Sequence, residues 1–176
     1  MTAQETTFTE TQNIEAIRKR VRYLIVFFII ALALSGLTAV PLKWGITILN
    51  SLFGSETAFA GLWPAMGDWV TYVYKAITTT AEQFPFMFYG TDWLAFGHIV
   101  IAISFIGPLR DPVRNVWVIE YGLIACVLVV PVALIMGPIR DIPFFWQVID
   151  CSFGVFGFIP LWLVRRDILR LAKFEG

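Results

Sequence analysis

The sequence predicts an all-α membrane protein: four transmembrane helices, both termini cytoplasmic (N-in/C-in), and an amphipathic interfacial helix between spans one and two. Three observations predict it. Of 176 residues, 58% are hydrophobic and 15% charged, where a soluble domain carries roughly 25% charged residues. The apolar residues gather into four runs of about 18 or more, the length that crosses a hydrocarbon core about 30 Å thick. Lys and Arg are segregated to the flanks of those runs, in the pattern that orients membrane helices.

The chain opens on a polar segment, 1–22, read as a cytoplasmic amphipathic lead-in. Ile14, Ile17, Val21 and Leu24 recur at helical spacing, and Glu15 stands one turn before Lys19, so a helix begins near Asn13. The first span, 23–42, exceeds the roughly 7–15 apolar residues of a cleavable signal and reads as a retained anchor. Segment 43–92 follows, apolar and aromatic rather than loop-like. Within it Val70, Val73, Ile77, Ala81 and Phe84 repeat at helical spacing, with Asp68, Thr71, Lys75 and Glu82 between them. This predicts an amphipathic helix over 68–84, along the outer surface and ended by Pro85. A fifth span over 59–78 is the competing reading. It would bury Asp68 and Lys75.

Span two is 93–109, interrupted by His98. Span three is 116–137, with Glu120 one turn in and Pro131 at its middle, where a kink is expected. Span four is 143–164, carrying Asp150 and running into Arg165 and Arg166. The last segment, 165–176, reads as a basic cytoplasmic tail. The three later spans are joined by short turns and must be antiparallel neighbours. The turn sequence Gly107-Pro108-Leu109-Arg110-Asp111-Pro112 is echoed at Gly137-Pro138-Ile139-Arg140-Asp141-Ile142-Pro143. Both read as helix-stop and helix-start chemistry rather than a duplicated binding motif.

Orientation follows from the cations. Ten fall on one side: Arg18, Lys19, Arg20, Arg22, Arg110, Arg114, Arg165, Arg166, Arg170 and Lys173. Three fall on the other: Lys43, Lys75 and Arg140. The excess marks the cytoplasmic side. Trp44, Trp63, Trp69, Trp93 and Trp146 fall at the outer interface, Trp117 and Trp162 at the inner one, as amphipathic rings prefer. A multi-pass protein of a bacterial cytoplasmic (inner) membrane fits this layout.

Ionisable groups inside spans are costly and need partners, so they point to function. At about 1.5 Å of rise per residue, His98 and Asp150 each lie roughly 10 Å in from the outer side. Their equal depth suggests a pair. It would serve as an acid/base couple, a proton relay or a grip on a polar head group. The plainer reading is a polar clamp between helices worth about 1 kcal/mol. Glu120, near the inner side, either takes part in binding or pairs with Arg114 or Arg165. His98, Asp150 and Glu120 are thus the candidate ligand- or partner-binding residues, with His98 and Asp150 the candidates for any catalysis.

Cys126 and Cys151 lie in apolar runs without CxxC or a Cys/His cluster, which argues against zinc and against a redox role. No nucleotide-binding loop, HExxH or GxSxG is present. The balanced charge offers no basic arm for nucleic acid. No cofactor or metal is expected.

Three functions remain. The first is a binding or accessory subunit of a membrane complex, with lipid and other membrane subunits, or a second copy, as its partners. The second is an intramembrane enzyme or lipid-binding protein built on His98 and Asp150. The third is a small oligomeric proton-coupled transporter.

Overall fold

A computed structural model describes residues 3–175, and the side chains from Gln12 to Phe174. Met1, Thr2 and the final Gly176 lie outside the described residues, as do the side chains of the polar start of the N-terminal segment. The structure is 87% helix with no strand among the described residues, so the all-α expectation holds. Its helices are α1 (Ala3–Leu37), α2 (Leu42–Phe53), α3 (Pro64–Gln83), α4 (Tyr89–Ser104), α5 (Ile106–Arg110), α6 (Val116–Ile139) and α7 (Phe144–Glu175). Single 3₁₀ turns cover Ala58–Gly61 and Pro85–Phe88. Four stretches are long and apolar enough to span a membrane: Gln12–Leu37, Pro85–Arg110, Val116–Ile139 and Phe144–Phe174. The chain is, by that measure, a multi-pass helical membrane protein.

Contacts divide the chain into two units, Met1–Ile30 with Ala102–Gly176, and Ala31–Ile101. The first is built on the antiparallel packing of α6 against α7. Along α7, residues 147, 150, 154, 157, 161, 164, 168 and 171 alternate steps of three and four, the seam of a left-handed helix pair. Leu161, Val164, Ile168 and Leu171 on this seam are fully buried. Glycine brings the two helices together. A Cβ on Gly154 would stand 2.5 Å from the Cys126 carbonyl oxygen, and one on Gly137 would overlap the Gln147 side chain. Such close approach is how helices associate where no water drives them together. From α1, Val21 and Ile25 are buried, and Phe28 meets Phe105 at 4.8 Å between ring centroids. Gly122 faces both Phe105 and Leu161.

Proline accounts for some of the helix breaks, although α6 continues through Pro131 and Pro138 and α7 through Pro160. Pro108 has no N–H and its ring crowds the carbonyl four residues back, so the helix is interrupted at Phe105 between α4 and α5. The two echoed turns, alike in sequence, differ in geometry. Asp141 is left-handed at φ 55°. It closes α6 with the Ile142 amide donating to the Gly137 carbonyl at 2.9 Å, a Schellman end with aspartate in glycine's place. Asp111 instead is extended at φ −138°, because Pro112 follows it and restricts the preceding residue to that region.

In the second unit α2 packs on α3. The predicted amphipathic segment is helical from Pro64, one turn earlier than expected, with proline at the first helical position where its missing N–H costs nothing. Val70 and Gly67 are buried, while Val73 and Ile77 are half-buried. Thr71 ties the helix to the last turn of α2 and to the turn after it: its hydroxyl donates to Asn50 Oδ1 at 2.9 Å and accepts from the Ser55 amide at 2.9 Å. Two boundaries differ from expectation. α1 ends at Leu37 rather than at residue 42, since Val40 precedes Pro41 and is steered out of the helical region. A separate helix, α2, begins at Leu42. Its less exposed residues Leu42, Ile46, Leu49 and Phe53 share one face, a pattern that Gly45, Asn50 and Ser51 disguise.

Candidate functional site

Glu120, one turn into α6, has a partner on α7. Arg165 approaches one carboxylate oxygen with Nε at 2.9 Å and with its terminal nitrogen at 2.8 Å. Of the two arginines that sequence offers for this pairing, the geometry selects Arg165. Both side chains are about 40% exposed, so the pair fixes the register of α6 on α7 more than it stabilises the fold.

A second ion pair joins α1 to α7. Arg20 Nε lies 2.6 Å from Asp167 Oδ2, and Asp167 is wholly buried. The other carboxylate oxygen stands 3.5 Å from Arg166 Nε, without hydrogen-bond geometry. Asp167 escapes a reading that takes 165–176 as a solvated tail. The helix does not stop at the arginines. Val164, Ile168 and Leu171 carry the buried seam through them, and that spacing is the signal that would have placed Asp167 beside the core.

His98 lies half-buried on α4 in the second unit. Its Nδ1 is 2.8 Å from the Leu94 carbonyl oxygen. A carbonyl only accepts, so Nδ1 is the donor in this contact. A Cβ on Gly36 would overlap His98 Cβ, so glycine there admits the imidazole-bearing face of α4. Asp150 belongs to the first unit. It sits half-buried on the α7 seam between Gln147 and Gly154 and makes no hydrogen bond or ion pair with a described residue of its unit. Each candidate therefore occupies its own unit. The two cysteines are free thiols. Cys126 packs its sulfur at 3.0 Å from where a Cβ on Gly157 would lie. No group of three metal-ligating side chains gathers among the described residues.

The ion pairs stand at the arginine-rich end of the first unit, and a cleft of about 450 Å³ opens at that same end. Arg18 and Arg22 of α1 form one wall; Arg110, Asp111 and the flanking Pro108, Leu109, Pro112 and Val113 form the other. The turn that carries Asp111 is internally braced. Asp111 Oδ1 accepts the Arg114 amide at 3.0 Å, and the Asn115 side-chain amide donates to the Asp111 and Gly107 carbonyls at 2.9 and 3.3 Å. Arg22 and Arg110 form no ion pair among the described residues, so their guanidinium groups are available to an anion.

Comparison of the chain with known protein families, with curated proteins and with solved structures finds no match.

Proposed function

We propose that this chain is a four-span membrane protein, N-in/C-in, that works by binding, as an accessory subunit of a larger membrane complex. The observation that carries the reading is the use made of the charges near the span ends. Glu120 and Asp167 are committed to Arg165 and Arg20 on neighbouring helices, where they fix helix order rather than present a reactive group. The surfaces of the spans support it too. Between 11% and 22% of each apolar window is buried within the chain, so most of every span is left for lipid or for other helices. The orientation is supported by the gathering of Arg18–Arg22, Arg110 and Arg165–Arg166 at one end of the first unit, the concentration of positive charge that stays cytoplasmic. The segment 64–83, with apolar and polar residues on separate faces, is read as lying along the opposite interface.

Isolation from native membranes in a mild detergent, followed by native mass spectrometry, tests the binding role. The expected result is a complex holding this chain and another integral membrane protein, or a second copy, at fixed stoichiometry. A chain that comes out as a lone monomer under conditions preserving other membrane complexes would contradict it.

A further inference from the structure

We infer that the cleft between α1 and the α5–α6 connection binds the phosphate of an anionic phospholipid head group. The inference rests on the membrane reading above but on neither the orientation nor the subunit role. Three arginines line the cleft against one carboxylate, Asp111, and one oxygen of that carboxylate already accepts the Arg114 amide. The lining is therefore cationic. Guanidinium is the side chain best matched to phosphate, through paired N–H donors in one plane.

Two features favour a lipid over a free anion. Arg110 is the last residue of the apolar stretch Pro85–Arg110, and Arg22 directly precedes the apolar run that starts at Tyr23. The guanidinium groups thus stand where hydrocarbon gives way to head groups. The walls between them are apolar, from Val21, Pro108 and Leu109. A phosphodiester with a glycerol backbone attached would meet both surfaces at once, and basic pockets between transmembrane helices hold such head groups. The volume of about 450 Å³ admits a group of that size.

The full chain in detergent decides the matter, read by thermal unfolding and by native mass spectrometry of bound lipid. Short-chain phosphatidylglycerol should raise the Tm by a few degrees near saturation, and one lipid should stay bound. Phosphatidylcholine, whose phosphate is offset by choline, should do neither. In the R22Q/R110Q variant the affinity should fall on the order of thirtyfold, about fivefold for each arginine lost. Both side chains are exposed, so that variant should unfold at the wild-type temperature without lipid. R170Q, at the same end but outside the cleft, should bind as wild type does. Equal shifts from phosphatidylglycerol and phosphatidylcholine would overturn the inference. So would a shift produced by inorganic phosphate and not by lipid, or an unchanged affinity in R22Q/R110Q. A chain that remains soluble without detergent would defeat the membrane reading itself, before any lipid is added.

Discussion

Asp167 and Arg20 form an unequal pair, and the inequality predicts how each fails. Asp167 is 0% exposed and Arg20 is 48% exposed. Removing the arginine strands a buried carboxylate beside Arg166, whose Nε is 3.5 Å away and poorly aimed. Uncompensated buried charge is costly, about 3–5 kcal/mol when a fully buried pair is broken. With one partner half in water, about 2 kcal/mol is expected for R20A. D167N leaves an arginine that can turn to water and should cost about 1 kcal/mol. Thermal unfolding of the two variants in detergent checks the order, and a greater loss from D167N would refute it. His98 gives a second residue-scale test. Its bond to Leu94 is local to one helix turn, so on the binding reading H98A and D150A should each leave complex assembly intact. Loss of assembly from both substitutions, non-additive in the double variant, would instead favour the paired site that their equal depth suggests. The sequence exposed Glu120 and narrowed its partner to Arg114 or Arg165 because all three sit at span ends, and the structure selects Arg165. It concealed Asp167 because two arginines and the end of the hydropathic run mask the continuing seam.

At the scale of elements, close helix approach turns glycine into a structural requirement at some positions and not at others. At Gly154 the obstruction is the Cys126 carbonyl, which is backbone and cannot rotate away. G154A should therefore push α7 off α6 and lower stability by about 1–3 kcal/mol, the range for overpacking. Gly97, in α4, has nothing within 4 Å of an added Cβ. G97A should be neutral or slightly stabilising, by up to about 1 kcal/mol, through helix propensity. Unfolding temperatures that do not separate the two variants would contradict the packing described for the α6–α7 pair. Four long helices were legible from apolar run length, and the turn before α7 from its Gly-Pro and Asp-x-Pro signals. Helix α2 was not, because a twelve-residue helix containing Gly45, Asn50 and Ser51 has a weak period and needs α3 to bury its face. The end of α7 was missed for the opposite reason: hydropathy falls at Arg165, while the three-four spacing of buried residues does not.

At the scale of the molecule, the central proposal is a polarity: the arginine-rich end of the first unit, formed from Arg18–Arg22 of α1, the α5–α6 connection and the last turns of α7, is proposed to face the cytoplasm. The distribution of Lys and Arg is what suggests that side, and within the first unit the ion pairs tie Arg20 of α1 to Asp167 and Glu120 of α6 to Arg165, both on α7. Which of the possible partners covers the apolar spans was not legible, because lipid and a neighbouring helix present the same hydrocarbon surface to a span. The most direct test is a pair of topology reporters, one fused at Gly176 and one inserted beside Glu56 in the turn after α2. The account predicts a cytoplasmic signal from the C-terminal fusion and an external signal from the insertion. The same side for both, or an external C-terminus, would contradict it.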